Sequence, residues 1–345
     1  MVRVLHVGVG IRGGHWVDFV RQHPDFQTVG YVDVDPAALE RVTARGQGAE
    51  AYTDLARALD RTDAEVAIIA SPTAHHAEHA RLAMRAGLTA FVEKPFAENV
   101  RAAQDLLDVS RETGRAVMVA ENYRYRPAER TVRKLIAEGA VGAIDNATLV
   151  DRRHMPSHTE GPWLARIEYP QLQEIAIHHF DSLRYMLAER PVSMTVRAWN
   201  PPPSDYAHGA STAALIEFDA ARAQYLGTMT SGRFAFSLTL EGESGEIWTD
   251  RKRVFVRAAG SRIPRWVKNV PAPRGDADKY PREGTTSLLD SLRDLVVEGR
   301  EPETIGSDNI WNVAMVEAGK RSDRDGRTVR IDEVYPVPVD VHSAG

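Results

Sequence analysis

The sequence predicts an α/β fold in which a doubly wound parallel sheet precedes a second sheet with one buried face. Over the first 120 residues, short β-branched segments alternate with segments of helical period, which is typical of βαβ units with both sheet faces covered. From about residue 190, strand-like segments follow one another directly. The chain of 345 residues is long enough for two separate cores.

The parallel sheet is predicted from five strands, each short, apolar and rich in β-branched residues. Between them, the clearest helical patterns cover 74–86 and 99–113, where apolar residues recur every three or four positions. Crossovers between parallel strands are right-handed almost without exception, so a doubly wound sheet is the simplest topology. The predicted strands are Arg3–Val9, Thr28–Asp33, Glu65–Ala70, Ala90–Glu93 and Ala116–Ala120.

The second half of the chain predicts a run of strands followed by helices. Phe234, Phe236, Leu238 and Leu240 alternate with small or polar residues, so one face of their strand should be buried. The predicted strands are Ser193–Trp199, Thr212–Phe218, Gln224–Thr230, Phe234–Glu241 and Val254–Arg257. The closing elements are predicted to be helices at Thr286–Glu298 and Asp308–Ser322 and a strand at Thr328–Ile331.

Composition and charge argue against several classes of protein. The 43 basic and 48 acidic side chains are interspersed and give a net charge of −5, which argues against a nucleic-acid or anionic-membrane surface. No apolar run approaches the roughly 18 residues that a membrane span needs, and the first residues do not resemble a signal peptide. Cysteine is absent, which excludes disulfides and thiol chemistry and fits a reducing cytoplasm.

A glycine-rich turn follows the first predicted strand, with Gly8, Gly10 and Gly13 in the spacing G-x-G-x-x-G. The first glycine permits the tight turn, the second lets the backbone approach a pyrophosphate, and the third allows close packing of helix on strand. Ile11 and Arg12 stand at the start of the following helix, which offers free N–H groups to phosphates. A plain turn is the alternative, but the position between strand and helix favours dinucleotide binding.

Asp33 ends the next predicted strand, 20 residues after Gly13. A carboxylate at this place accepts hydrogen bonds from the adenosine ribose hydroxyls and repels a 2′-phosphate, so NAD(H) is favoured and NADP(H) is the alternative cofactor. A helix cap ahead of Pro36 is the other interpretation of Asp33, although Asp35 fits the capping role better.

The predicted fourth strand runs into Glu93, Lys94 and Pro95. A lysine at the carboxyl end of a parallel strand projects into the crevice where ligands bind in open α/β sheets. Lysine can donate a proton or polarise a hydroxyl, and burial can lower its pKa toward the working pH. As a bare tripeptide, Glu-Lys-Pro is most often a surface turn, but its position here favours a functional role.

With these motifs the chain resembles the glucose–fructose oxidoreductase and inositol dehydrogenase family, also called Gfo/Idh/MocA. The resemblance covers most of the chain and is strongest over the first 140 residues. The matching segments are Gly8–Gly13, Ala70–Thr73 with His76, Gly87 followed by Glu93–Pro95, Asn122–Arg124 with Pro127, and Glu174–Asp181.

The resemblance implies a Rossmann domain followed by an α/β domain with a large open, mostly antiparallel sheet, which often mediates dimer or tetramer formation. We assign the first domain to residues 1–122 and the substrate-binding and oligomerisation domain to 123–345. The last helices could pack back on the first domain. Pro127 supports a crossing near this boundary, because it disfavours helical backbone at Arg126.

The resemblance also implies roles for individual residues of the first domain. Lys94 would be catalytic and would bind both substrate and cofactor. Glu93 would also bind the cofactor, and Glu93 and Pro95 would set the geometry of Lys94 beside the nicotinamide. Asn122 would lie near the nicotinamide end of the cofactor, and the Tyr123–Arg124 pair could face cofactor or substrate. The residues that would border the cofactor are Ser71, Pro72, Thr73 and His76.

Residues 172–183 predict a helix that carries an acid and two histidines. Glu174 and His178 are four apart and share a face, with Asp181 on the same side. Hydride transfer from an alcohol also moves a hydroxyl proton, for which histidine is suited, and a carboxylate can orient the imidazole or bind a second hydroxyl. We take Glu174 and His178 as catalytic and substrate-binding candidates and His179 as a substrate-binding candidate. Core-facing or capping roles are the alternatives, above all for His179.

The chain departs from the family pattern at this helix in two ways. The family usually has aspartate where this chain has Glu174, and a glycine-rich approach where this chain has Tyr169–Gln171. Both departures concern substrate identity more than reaction type. Further along the substrate side, His154, His158 and Trp163 lie in a loop-like stretch and could line the pocket or lie on the surface.

A zinc site is an alternative for the histidines near residue 76. His75 and His79 are four apart, which is metal-ligand spacing on a helix. We expect no metal, because no third ligand follows nearby and the resemblance implies none.

The predicted function is an NAD(H)-dependent oxidoreductase that transfers a hydride between nicotinamide and a CH–OH carbon of a sugar, cyclitol or related polyhydroxy compound. A glycoside hydrolase or lyase that holds NAD tightly and uses it transiently needs the same residues. A dinucleotide-binding regulator is disfavoured by Lys94, Glu174 and His178. We expect a cytoplasmic homodimer or homotetramer joined through the second sheet, with no nucleic-acid or membrane partner.

Overall fold

The structure is a computed structural model that describes residues 1–45, 48–157, 163–202, 204–271 and 284–336. Contacts within the chain divide it into two compact units. The first unit contains Met1–Pro127 and the described part of Pro271–Val313, and the second contains Ala128–Val270 and the described part of Ala314–Gly345. The division into functional domains at residues 122 and 123 stays a prediction.

Six parallel strands form the sheet of the first unit, in the order β3-β2-β1-β4-β5-β6. The predicted doubly wound parallel sheet is confirmed, and only the three-residue strand β3 was not predicted. The order reverses between β1 and β4, and in open α/β sheets the ligand crevice lies at the carboxyl ends of the strands at such a point. The strands are β1 (Val2–Val7), β2 (Phe26–Val32), β3 (Glu50–Tyr52), β4 (Val66–Ile69), β5 (Thr89–Val92) and β6 (Val117–Val119).

Helices from both halves of the chain cover this sheet. The helices of the first unit are α1 (Ile11–Gln22), α2 (Pro36–Thr43), α3 (Leu55–Arg61), α4 (His76–Arg85), α5 (Val100–Thr113) and, from the second half, α8 (Thr285–Glu298) and the part of α9 (Gly306–Asp325) up to Val313. Leu288 and Leu292 of α8 are buried in one apolar cluster with Trp16, Phe91 and Met118. The predicted helix near 286–298 is therefore part of the core of the first unit.

A nine-stranded sheet forms the second unit, in the order β14-β13-β12-β11-β7-β10-β9-β8-β15. All neighbouring strands are antiparallel except β7 and β10, which run parallel, so the predicted mostly antiparallel sheet is confirmed. The strands are β7 (Ile144–His154), β8 (Pro191–Trp199), β9 (Ser211–Phe218), β10 (Arg222–Thr228), β11 (Thr230–Gly242), β12 (Gly245–Thr249), β13 (Val254–Ala258), β14 (Arg265–Val267) and β15 (Val329–Arg330).

The prediction of one continuous buried face on β11 is wrong at its start. Leu238 and Leu240 are buried as predicted, but Phe234 is 52% exposed. The pairing of β11 with β7 is interrupted between Thr230 and Ala235. Since the first residues of β11 lack a regular register, their alternating pattern does not place them on the core face.

Among the described residues of the second unit, three helices and one π-helical turn accompany the sheet, together with short 3₁₀ turns at Leu164–Arg166 and Ile331–Glu333. The helices are α6 (Pro127–Ala137), α7 (Ile177–Leu187) and the part of α9 (Gly306–Asp325) that follows Val313, and the π turn covers Gln171–Ala176. Within the described ranges, none of the helices is both long enough and apolar enough to cross a membrane.

Candidate active site

The glycine turn after β1 is so closely packed that two of its glycines have no room for a side chain. Gly8 has a φ of +82°, and a Cβ built on it would lie 2.5 Å from the backbone nitrogen of Ser71. A Cβ on Gly13 would overlap the carbonyl oxygen of Gly8. Glycine at these positions therefore permits the tight turn and the close approach of α1 to the sheet.

Gly10 differs from these two glycines because a Cβ there would meet nothing within 4 Å. It precedes α1, and no side chain caps this helix. Ile11 and Arg12 form the start of the helix, where the N–H groups lack partners within the helix and carry the positive end of its dipole. The open side of Gly10 and these N–H groups together suit a pyrophosphate.

Asp33 lies directly after β2 and is half-buried. Its Oδ2 accepts a hydrogen bond from the Val9 N–H at 2.7 Å, and its Oδ1 accepts one from the Asp35 N–H at 2.9 Å. These bonds fix the carboxylate beside the glycine turn and leave lone pairs for further donors such as ribose hydroxyls. Asp35 accepts the Ala37 N–H at 3.0 Å and so caps α2, as predicted.

The lysine turn follows β5 and is joined to the glycine turn by a buried carboxylate. Glu93 is 5% exposed; its Oε1 accepts the Trp16 Nε1–H at 2.7 Å and is also bonded to Arg12. Its Oε2 accepts the Lys94 N–H at 3.2 Å. Burial alone would raise the pKa of Glu93. The charges of Arg12 and Lys94, together with the hydrogen bonds from Trp16 and Arg12, outweigh burial and hold this pKa below its usual value. Arg12, a predicted cofactor contact, therefore links the two turns.

Replacing Glu93 with glutamine should destabilise the protein by about 1.5–3 kcal/mol at neutral pH, the range for a hydrogen bond to a charged group. The folded-state pKa of Glu93 lies below the usual value of 4.5, so its stabilisation is present above pH 4.5 and is lost as pH falls through the folded-state pKa. Melting temperatures of both proteins across this pH range check the prediction. The exposed Glu98→Gln is the control, and a deficit that persists unchanged in acid would contradict the assignment.

The predicted cofactor-bordering residues lie after β4, beside the point where the strand order reverses. The ring nitrogens of His76 lie 2.8 Å from the Pro95 carbonyl oxygen and 2.7 Å from that of Ser71. His76 is buried and thus ties the loop after β4 to the lysine turn. Pro72 and Thr73 lead through a 3₁₀ turn into α4.

The histidines considered for zinc do not show a metal-ligand arrangement in the described part of the chain. The rings of His75 and His79 stack with their centroids 5.7 Å apart. Among the described residues, the three side chains whose possible ligand atoms lie within 4.8 Å of one another are instead His23, Asp25 and Asp290. There the His23 Nε2 lies 3.1 Å from the Asp290 carboxylate, which is hydrogen-bond distance.

A 3₁₀ turn over Asn122–Tyr125 follows β6 and carries three further candidates. Asn122 is half-buried, whereas Tyr123 and Arg124 are buried. Arg124 donates to the carbonyl oxygen of Glu303 at 2.6 Å, within the same unit. The guanidinium of Arg126 lies 3.4 Å from the ring centroid of Tyr123. Tyr123 and Arg124 therefore have packing partners within the first unit. The contacts to cofactor or substrate predicted for them would be additional to these.

In the second unit, Glu174 and His178 lie on two different kinds of helix. Glu174 belongs to the π turn Gln171–Ala176, and His178 is the second residue of α7. The expectation that one regular α-helix carries both residues is wrong, because a π turn bonds i to i+5 and so changes their angular spacing. Glu174 is half-buried and His178 is 9% exposed.

His179 and Asp181 are fully buried on α7. The Nδ1 of His179 lies 3.0 Å from the Tyr225 hydroxyl, and its Nε2 lies 3.9 Å from the Asp151 carboxylate. His179 therefore faces the core, which is the alternative to substrate binding that the sequence left open for it. The sequence did not predict Gln171, whose Nε2 donates to the same Tyr225 hydroxyl at 2.5 Å. The one sequence feature that could have indicated a role for Gln171 was the departure from the family pattern at residues 169–171.

Two further substrate candidates, His154 and Trp163, lie on the accessible part of the second unit. His154 ends β7, is exposed, and has its Nδ1 3.2 Å from the carbonyl oxygen of Ser231. Trp163 is 45% exposed and precedes the 3₁₀ turn Leu164–Arg166. His158 lies outside the described residues.

Comparison with known proteins matches both halves of the chain. Residues 2–121 match the model of an oxidoreductase family with an NAD-binding Rossmann fold, and residues 130–248 match the GFO/IDH/MocA C-terminal domain. An inositol 2-dehydrogenase of Rhizobium meliloti is 26% identical over 96% of this chain and 99% of its own length. A D-apiose dehydrogenase of Paraburkholderia graminis is 27% identical over 85% of this chain and 80% of its own length.

A solved structure supports the architecture over nearly the whole chain. An oxidoreductase from Agrobacterium radiobacter in complex with NAD+, L-tartaric acid and magnesium superimposes with a TM-score of 0.85. The alignment covers 96% of this chain and 99% of that chain at 20% identity. At this identity the likeness shows the shared fold.

Proposed function

Because this chain belongs to the Gfo/Idh/MocA family of NAD-binding oxidoreductases, we propose that it is an NAD(H)-dependent dehydrogenase of a sugar, cyclitol or related polyhydroxy compound. One observation carries the proposal. The glycine turn, the Asp33 carboxylate and Lys94 each follow the carboxyl end of a strand in one parallel sheet. This is the edge where open α/β sheets bind ligands.

The residues of the first unit fit a dinucleotide. The open side of Gly10 and the N–H groups of α1 would hold the pyrophosphate, and Asp33 would accept the adenosine ribose hydroxyls. The negative charge of Asp33 repels a 2′-phosphate, which favours NAD(H) over NADP(H). When bound, the nicotinamide accepts or delivers a hydride at its C4.

Lys94 and His178 are the proposed acid–base groups. Oxidation of an alcohol releases the hydroxyl proton, and reduction of a carbonyl takes one up. Lys94 polarises the reacting hydroxyl, and His178 accepts or returns its proton. Glu174 binds a neighbouring hydroxyl or orients the imidazole, which fixes the substrate carbon for hydride transfer.

The substrate class is proposed from the relatives and from the candidate side chains. Two of the relatives are dehydrogenases named for inositol and for D-apiose. The proposed substrate contacts offer a carboxylate, imidazoles and an indole N–H, and many hydroxyls need many such partners. Tyr123, Arg124, His154 and Trp163 are the secondary candidates for this role, whereas the fully buried His179 is not.

Purified protein mixed with NAD+ and a panel of polyols, inositols, aldoses and sugar acids tests the proposal. Reduced nicotinamide should form with one substrate class, and NAD+ should be used in preference to NADP+. If the cofactor binds but no reduced nicotinamide accumulates, release of sugar from glycosides should be measured next, since a hydrolase with transient redox gives no net NADH. A protein that binds no dinucleotide would contradict the proposal.

We also propose that the chain forms a homodimer or homotetramer through its nine-stranded sheet. Leu215 on β9 is 59% exposed and Trp199 on β8 is 41% exposed, so large apolar side chains project from the solvent side of neighbouring strands. A second copy of the same chain would cover this exposed apolar surface without a different partner protein.

The absence of cysteine fits the reducing cytoplasm as the proposed location.

A further inference from the structure

The π turn Gln171–Ala176 needs an explanation, because π-helical segments are rare and occur frequently at functional sites. It lies within the buried part of the second unit and runs directly into α7. Its backbone begins under constraint: the preceding Tyr169 has a φ of +58°, a conformation that side chains other than glycine rarely adopt. Such a conformation persists where surrounding contacts determine it.

One buried hydroxyl connects both ends of the helical segment around Glu174 and His178. The Gln171 Nε2 donates to the Tyr225 hydroxyl at 2.5 Å, and the His179 Nδ1 lies 3.0 Å from the same oxygen. Gln171, His179 and Tyr225 are 0%, 0% and 2% exposed. The tyrosine on β10 thus holds the first residue of the π turn and the residue directly after His178.

The donors and acceptors of this group are consistent with one arrangement of protons. Burial, together with the charge of Asp151, raises the pKa of Tyr225, so the hydroxyl keeps its proton. The hydroxyl accepts from Gln171 and can donate its own proton to the Nδ1 of His179. The imidazole proton then lies on Nε2, which faces the Asp151 carboxylate at 3.9 Å.

Gly227 supplies the space that this arrangement requires. It stands two residues after Tyr225 on β10, on the same face of the sheet. A Cβ at this position would overlap both the Gln171 amide nitrogen and the Tyr225 hydroxyl. A side chain at residue 227 would therefore displace the Gln171 amide and the Tyr225 hydroxyl and break the hydrogen bond between them.

We propose that Gln171, His179 and Tyr225, with the space left by Gly227, form a clamp that positions Glu174 and His178 for proton transfer and substrate binding. The clamp brackets both residues in sequence and fixes the backbone conformation that presents them. None of its members is proposed to touch substrate, so they are positioning residues. This inference rests on the function proposed above.

Tyr225→Phe is the primary test, because it removes the hydroxyl and keeps the ring. We expect kcat to fall by about tenfold or more, since a small displacement of catalytic groups is costly, while the Kd for NAD+ stays within about twofold because the dinucleotide residues lie in the other unit. Gln171→Leu should act in the same direction, and the double variant should lose little more than Tyr225→Phe alone, because both changes break the same bond between Gln171 and Tyr225. Gly227→Ala should act in the same direction.

The matched control is Thr131→Val on α6, which removes a buried hydroxyl that accepts the Val270 N–H at 2.8 Å in the same unit. Thr131→Val should lower the melting temperature about as much as Tyr225→Phe does, but it should retain the wild-type kcat. A folded Tyr225→Phe protein with kcat within about twofold of wild type would overturn the clamp, as would an equal loss of kcat in Thr131→Val.

Hydrogen exchange separates a failure of the clamp from a failure of the proposed function. Peptides that cover residues 170–180 should exchange faster in Tyr225→Phe than in wild type or Thr131→Val. If the wild type shows no turnover on any substrate but exchange is accelerated, the clamp stands and the dehydrogenase proposal fails. Unchanged exchange in this segment overturns the clamp whatever the activity.

Discussion

Replacing Lys94 with alanine is expected to lower turnover by about 10²–10⁴-fold, the usual contribution of a positioned acid–base group. Affinity for NAD+ should change by no more than about threefold. The cofactor is assigned mainly to the glycine turn and Asp33, whereas Lys94 lies half-buried at the carboxyl end of β5. Steady-state kinetics with the substrate found in the panel, together with NAD+ titration, measure the two quantities separately.

The control for this variant is Lys134→Ala. Lys134 is exposed on α6 and pairs with Glu138 at 3.7 Å, as a surface ion pair does. This variant should turn over like the wild type. Wild-type turnover in Lys94→Ala would remove Lys94 from the chemistry and leave His178 as the candidate acid–base group.

A methyl group on Gly10 is expected to weaken NAD+ binding by about 10–100-fold while the protein stays folded. The space beside Gly10 is open in the protein alone, so Gly10→Ala creates no clash until a pyrophosphate has to approach the backbone. Alanine is a poorer N-cap than glycine, which allows for a loss of up to about 1 kcal/mol in stability. Titration calorimetry and thermal melting measure the two effects.

Gly232→Ala on β11 is the matched control, because a Cβ there also meets nothing within 4 Å. It should change neither NAD+ affinity nor stability appreciably. If Gly10→Ala bound NAD+ as tightly as the wild type, the pyrophosphate would have to lie elsewhere than against the glycine turn.

The first unit could be predicted closely because local signals mark the ends of its strands. Gly8 follows β1, Asp33 follows β2 and Glu93 follows β5, each after a short apolar run. Parallel strands covered on both faces give continuous apolar segments, which are visible without knowledge of the tertiary structure. The roles of Gly8 and Gly13 in packing also followed from spacing alone.

The second unit was harder to predict because charged residues occupy buried positions. Strand β7 was not predicted, and Asp151 on it is fully buried, where its Oδ2 accepts Arg153 Nε–H at 2.7 Å and its Oδ1 lies 3.8 Å from Arg251 Nη1. A charge on the core face breaks the period of two by which strands are recognised. The partner that makes burial tolerable, Arg251, is 100 residues away.

The π turn is another feature that local sequence could not predict. In the proposed clamp, its conformation depends on the hydrogen bond between Gln171 and Tyr225, which are 54 residues apart. Propensity along residues 171–183 favours an ordinary α-helix, and the contact with β10 overrides it. The candidate residues Glu174 and His178 were therefore identified, but their relative orientation was not.

The discontinuity of the first unit has a consequence for how the protein is made. Leu288, Leu289 and Leu292 of α8 complete the apolar cluster that contains Val4 and Trp16. Because translation starts at the amino terminus, the strands of the parallel sheet leave the ribosome well before α8 is synthesised. Until then, apolar surface on the nascent sheet lacks its final cover and is a target for chaperones. The nucleotide-binding unit can mature only after the second sheet has been synthesised, so translation that stops early leaves a product with exposed core surface.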